Sequence, residues 1–295
     1  MFRQILIPST GETSDDVVFA TARAAAGDHP AHLGFLFAKQ DPADAAIAMS
    51  GGAMDGGFGI AAMIETLEKE SEVAEAAARR AWAAFCVTAQ LQVTHSPQSH
   101  GVSTTLETVS GNEARLLVQH GRTSDLLVIG RPRGGEAVAL GRLQDVLSGI
   151  GRPMLIAGPS SPDTLIRTIV IAWKDTAEAA RAVCAAMPFI ARAERILVMT
   201  TGEEATSVGM AHDATRASAS RLVATLLGHA PLVHAQHVPL GHGSPAQALL
   251  AAAMEARASL LVMGGYGHGE LRETLFGGFT RTVLGGAELP VLMMR

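Results

Sequence analysis

The chemistry-bearing part of this sequence is a set of glycines that follows an apolar run. Residues 260–269 read LLVMGGYGHG, 270–276 read ELRETLF and 277–281 read GGFTR. An apolar strand running into glycines at its carboxyl end is where an open α/β sheet places ligands. Glycine lets backbone N–H groups close on a phosphate with no Cβ in the way, and a nearby helix N-terminus adds a favourable dipole. The same residues also suit a tight turn followed by a helix with a close-packed face, since Gly-rich strand ends are common in this class. A phosphate cradle requires Gly277 and Gly278 to fold back onto the glycines that start at Gly264.

Other chemistries fit less well. Gly265, Gly267 and Gly269 have the wrong spacing for a dinucleotide fingerprint and follow the fourth strand of their unit rather than the first. No GxxxxGK[ST] loop occurs. Among 11 histidines, His234 and His237 lie three apart on an expected strand, so they point to opposite faces and cannot chelate together. His229 and His242 add no metal-ligand spacing, and no metal site is expected. His268 sits inside the glycine stretch, placed to contact a bound anion or to face solvent. The two cysteines, Cys86 and Cys184, lie in Ala-rich helical stretches and are expected to pack as small apolar side chains. Ser9, Thr10, Thr13 and Ser14 are expected to cap a helix.

The elements that must hold the glycines come as a repeat. RQILIPST at 3–10 has a counterpart in RTIVIAWK at 167–174, SDLLVIG at 124–130 in ASLLVMG at 258–264, and RPMLIA at 152–157 in LPVLMM at 289–294. Three anchors in one order indicate a duplication. The boundary falls in GPSSPD at 158–163, which has linker composition. We therefore divide the chain into a domain over 1–157, a linker over 158–166 and a domain over 167–295.

In each copy, short apolar runs alternate with long Ala-rich stretches of helical period, the pattern of βαβ units and a parallel sheet buried on both faces. Strands are expected near 3–7, 31–37, 102–108, 125–129 and 153–157, then near 168–172, 195–200, 231–238, 259–263 and 290–294. Helices are expected over 176–192, 211–228, 244–257 and 271–286 in the second copy. The first copy has a long helix over about 61–90 after a flexible glycine loop at 50–59. The fold class is α/β, with two tandem five-stranded parallel open sheets flanked by helices. A net charge of -5 argues against a nucleic-acid binder. From the opening MFRQILIPST no export signal is expected, and no run is apolar and long enough to cross a membrane. A cytoplasmic location is the expectation.

Gly264, Gly267 and Gly277 resemble the G-2x-G-9x-G-[S/T] nucleotide-binding motif of the universal stress protein family. The closing PVLMM at 290–294 and the AWKDT stretch at 172–176 are similar to that family's last strand and start. The resemblance implies a Rossmann-like, ATP-binding α/β domain that dimerises or, in tandem forms, pairs its two halves within the chain; a homodimer of the whole chain is a further expectation. It places Gly264, Gly267 and Gly277 around the phosphates of ATP, with or without Mg²⁺. Gly278, Phe279 and Thr280 lie beside them, His268 is in the loop, and Ala172 and Lys174 are near base and ribose. This sequence departs from the family twice: Gly278 stands where the motif has Ser or Thr, and Lys174 where an Asp would grip the ribose. Asp175 could replace that Asp only if the turn shifts by one residue.

The first copy departs further, with RPRGGE at 131–136 in a loop three residues shorter. Pro132 removes a backbone donor, and Arg131 and Arg133 read as a solvated rim. That half is expected to be degenerate and structural. The function expected is a stress-response protein that binds an adenine nucleotide in its second half, in a regulatory or protective role. Alternatives are a slow ATP hydrolase using His268 and Glu270, or a partner-binding protein that has lost nucleotide affinity.

Overall fold

Strand order organises this molecule. The structure, a computed structural model, describes residues 1–41, 57–131, 137–202, 209–240, 243–265 and 277–295, with backbone alone at 57–61, 137–138 and 209–213. The elements of the N-terminal half are β1 (Gln4–Pro8), α1 (Asp15–Ala26), β2 (Ala31–Lys39), α2 (Gly57–Thr88), β3 (Gln92–Val93), β4 (Val102–Ser110), α3 (Glu113–Gly121), β5 (Leu126–Ile129), α4 (Ala137–Ile150) and β6 (Met154–Ile156). The C-terminal half has β7 (Thr168–Ala172), α5 (Ala177–Ile190), β8 (Arg195–Gly202), α6 (Gly209–Leu226), β9 (Val233–Pro239), α7 (Pro245–Glu255), β10 (Leu260–Gly264), α8 (Gly278–Gly286) and β11 (Val291–Met294).

All the strands form one sheet in the order β3-β4-β2-β1-β5-β6-β11-β10-β7-β8-β9. Leaving aside the short β3, both halves run third, second, first, fourth, fifth strand. Two separate sheets were expected, but β6 and β11 join them. They pair antiparallel, with Leu292 opposite Leu155, while every other pairing is parallel. Both are short, apolar edge strands of their own half, and an exposed apolar edge is a liability that pairing removes.

The central strands are apolar along their whole length because both faces are covered; the residues of β1, β7 and β10 are almost all buried. One core cluster includes Phe2, Phe19, Phe35, Phe189 and Val262, and a second includes Leu127, Leu147, Val170 and Leu261. Each contains residues of both halves. Across the join, the Phe2 and Phe189 rings lie 5.2 Å apart, within the range of favourable tilted aromatic pairs.

Helix starts follow local rules in most places. Thr176 caps α5 by accepting from the Ala179 N–H at 3.3 Å. Ser244 and Gln247 form a capping box at α7, with Pro245 in its first turn. The start of α1 differs from expectation. Ser14 precedes it without a side-chain cap. Instead the buried Asp15 carboxylate gathers the turn, accepting from the Thr10 N–H at 3.0 Å, the Gly11 N–H at 2.8 Å and the Thr10 hydroxyl at 2.8 Å. A carboxylate that takes several donors organises a turn more tightly than one hydroxyl can.

Three other expectations are corrected. The helix expected over 271–286 begins at Gly278 after a non-helical Gly277; residues 271–276 lie outside the described residues. The long helix of the first half starts at Gly57, so it takes in the end of the expected glycine loop, of which residues 50–56 also lie outside the described residues. Cys86 is buried as expected, and burial pushes its thiol up to about 11. Cys184 is exposed, on the outer face of α5.

Candidate functional site

In the C-terminal half the strand order reverses between β7 and β10. The chain steps outward one way through β7, β8 and β9 and the other way through β10 and β11. Connections leaving two such neighbours diverge and open a crevice at their carboxyl ends. A crevice of about 500 Å³ lies there, within the usual size of small-molecule sites, about 300 to 1,000 Å³.

Its walls are built by four connections. The turn after β7 contributes Ala172, Trp173 and Lys174, held by the Trp173 N–H donating to the Met199 carbonyl at 2.8 Å and the Trp173 indole N–H donating to the Ser218 hydroxyl at 2.9 Å. The end of β8 adds Met199 and Thr201, and the start of α7 adds Pro245 and Leu249. The fourth wall is Met263 and Gly264 of β10 with Gly277, Gly278, Phe279 and Thr280 at the start of α8.

The two groups of glycines have different reasons to be glycine. A Cβ on Gly264 would come within 2.8 Å of the Ala179 nitrogen and 2.9 Å of the Glu178 carbonyl carbon. Gly264 is thus required by the close approach of α5 to the strand end. Among the described residues, a Cβ on Gly277 or Gly278 would meet nothing within 4 Å.

No side chain caps α8 at Gly277. The first N–H groups of a helix have no partner within it, so those of Gly278, Phe279 and Thr280 are the ones α8 presents at the crevice, together with the positive end of its dipole. Lys174 adds a cation, and no carboxylate lines the crevice among the described residues. Apolar Ala172, Met199, Leu249 and Met263 supply a surface for a flat, apolar group. This chemistry suits an anion with an apolar body.

Of the residues singled out in the sequence, Ala172, Lys174, Gly264, Gly277, Gly278, Phe279 and Thr280 line this one crevice. Gly267, His268 and Glu270 lie outside the described residues. Asp175 does not line the crevice; it is exposed and accepts from Arg221 at 3.4 Å, so the turn has not shifted to place a carboxylate beside a ribose. Sequence reasoning missed Trp173, Met199, Thr201, Pro245 and Leu249. Met199 and Thr201 could have been found from their place at the carboxyl end of the neighbouring strand.

At the matching place in the N-terminal half, a smaller crevice of about 300 Å³ is lined by Glu12, Asp15 and Glu113 together with Arg131 and Arg142. Burial pushes the carboxyls of Asp15 and Glu113 up. Acidic and basic side chains are mixed in this smaller space, unlike the crevice of the C-terminal half. The solvated-rim expectation for Arg131 is overturned: its guanidinium is partly buried and donates to the carbonyls of Leu284 at 2.9 Å and Leu289 at 3.2 Å, in the other half. Arg133 lies outside the described residues. Among the described residues no His, Cys, Asp and Glu cluster could hold a metal, and no helix is long and apolar enough to cross a membrane.

Sheet order and switch-point crevice define the class as an open, doubly wound α/β protein with a crevice of small-molecule size in its C-terminal half. Within that class, residues 166–295 match the model of the universal stress protein family. Two solved structures resemble the chain over nearly its full length. A universal stress protein from Archaeoglobus fulgidus DSM 4304 is 14% identical, with a TM-score of 0.59, and the match covers 99% of this chain and 96% of that one. A candidate universal stress protein from Pseudomonas aeruginosa UCBPP-PA14 is also 14% identical, with a TM-score of 0.58 and coverage of 99% and 93%. At such identity the likeness shows a shared fold. No curated protein matches the sequence.

Proposed function

We propose that the C-terminal half binds ATP or a related adenine nucleotide in the switch-point crevice, and that the protein acts as a nucleotide-responsive regulatory or protective module under stress. The observation that carries this reading is the start of α8: a helix N-terminus at the crevice without a side-chain cap among the described residues, beginning with two glycines against which no described residue packs within 4 Å of an added Cβ. The N–H groups of Gly278, Phe279 and Thr280 would donate to phosphate oxygens, Lys174 would balance their charge, and the apolar wall would take the base. Gly264 would flank the phosphates from the β10 side, and Gly267 is proposed as a ligand on the motif resemblance alone. The loss of a motif hydroxyl at Gly278 removes one side-chain donor and keeps the backbone donor.

The domains proposed are 1–157 and 167–295, the first a structural partner of the second. The test is an ATP titration by thermal shift on wild type and Gly277→Val, with mass spectrometry of small molecules released on denaturation. Stabilisation of the wild type and its loss in the variant support the reading. Phosphate release followed over hours then separates a binder from a slow hydrolase.

A further inference from the structure

The short helix α8 is poorly held by its own sequence. It runs from Gly278 to Gly286, has no side-chain cap at its start, and ends on Gly285 and Gly286. Glycine is a weak helix former, and a helix of this length is marginal by itself. Its last carbonyls have no partner within the helix. One of them, Leu284 O, accepts from Arg131 Nη1 at 2.9 Å, and Nη2 of the same guanidinium donates to Leu289 O in the connection to β11 at 3.2 Å. A cation at a helix C-terminus also complements the dipole. Arg131 directly follows Gly130 at the end of β5, in the half whose own glycine motif is absent. Its Nε is buried and has no partner among the described residues, and besides its two carbonyl acceptors the guanidinium is attracted by the Glu288 carboxylate.

A second contact ties the same region to the N-terminal half. Leu147 Cδ2 of α4 lies 2.9 Å from where a Cβ on Gly265 would stand, immediately after β10. Both flanks of the 266–276 segment, Gly265 on one side and α8 on the other, therefore rest on the N-terminal half.

We propose that Arg131 is a positioning residue for the crevice of the other half: by capping the C-terminal end of α8 across the join, it fixes the helix whose N-terminal end receives the anion. The degenerate half thereby sets the affinity of the intact one. Binding at one end of α8 and the guanidinium at the other both favour the formed helix, so the two are coupled through it. The inference rests on the nucleotide reading above, and two readouts keep the two apart.

The full-length protein is compared as wild type, Arg131→Met, Arg131→Lys and Arg152→Met. The last removes an arginine-to-carbonyl bond of the N-terminal half, Arg152 Nε to Arg122 O at 3.2 Å, that does not touch α8. ATP affinity is measured by calorimetry, and amide hydrogen exchange is followed over 279–289 without ligand. Arg131→Met is expected to speed exchange across α8 at least about tenfold and weaken ATP binding about fivefold or more, with Arg152→Met unchanged in both. Arg131→Lys, which keeps the charge and loses the two-pronged geometry, falls between and serves if Arg131→Met does not fold. Unchanged ATP affinity in both Arg131 variants overturns the inference, even if their melting temperature falls. If wild type binds no ATP, the nucleotide reading fails. Exchange then decides the capping role, and unchanged protection of α8 overturns that as well.

Discussion

Single glycines in this protein answer to different forces, and substitution separates them. Gly264 ends β10 against the backbone of α5, where an added methyl would lie 2.8 Å from the Ala179 nitrogen. Backbone cannot rotate away as a side chain can, so Gly264→Ala is expected to destabilise the fold by about 1–3 kcal/mol, measured by urea denaturation. Gly277 has no such neighbour and an ordinary negative φ of -55°. Gly277→Val, at the N-cap of α8, should cost about 1 kcal/mol, less than Gly264→Ala at its upper end, while its valine side chain fills crevice space. Motif glycines that look alike in sequence thus divide into one that packing demands and one that it does not. That division was not legible in the sequence, because it depends on which atoms of α5 approach β10. The role of Arg131 was hidden for the same reason, its acceptor Leu284 lying 153 residues away.

Among the elements, α8 is the weakest link in the site. Gly285 is within its last turn, and a Cβ there would meet nothing within 4 Å. Gly285→Ala should stabilise the protein by about 0.5–1 kcal/mol through helix propensity, read from chemical denaturation, and should not weaken ATP binding. Failure to stabilise would mean that this end of α8 is held by something other than its own helical geometry. Apart from the two-residue β3, which is exposed and was not expected, the strands were legible from sequence to within about two residues, since apolar β-branched runs buried on both faces carry a strong signal. The start of α8 was not: ELRETLF at 270–276 has helix-forming composition, so propensity alone extended the expected helix back across Gly277. Cys184 was misread because it sits in the Ala-rich α5, where a small side chain on the outer face interrupts no visible apolar stripe.

At the scale of the whole molecule, one sheet and two cores run through both halves, so the chain is expected to unfold as one unit. The two tryptophans report on this, Trp82 on α2 in the first half and Trp173 beside the crevice in the second. Trp82→Phe and Trp173→Phe each leave one fluorophore, and their urea transitions, each corrected for its own change in stability, should show no plateau from separate melting of the halves. Phe189→Ala, which removes a ring facing Phe2 across the join, should cost about 3–5 kcal/mol and move both signals together. Independent transitions of the two fluorophores would contradict this picture. The like strand order of the two halves was legible from three matched segments. Fusion of the two sheets through β6 and β11 was not, because two apolar edge strands do not announce which partner they will take.

The most direct test of the central claim is the ATP titration of wild type and Gly277→Val by thermal shift. At free ATP about a hundredfold above Kd, binding to the folded state alone adds about 2.7 kcal/mol, which for a chain of this size raises Tm by roughly 5 °C. The wild type should show that rise and Gly277→Val should lose it while melting within roughly 2 °C of the wild type without ligand. A wild type whose Tm does not move at any ATP concentration, and which releases no nucleotide on denaturation, would contradict the account.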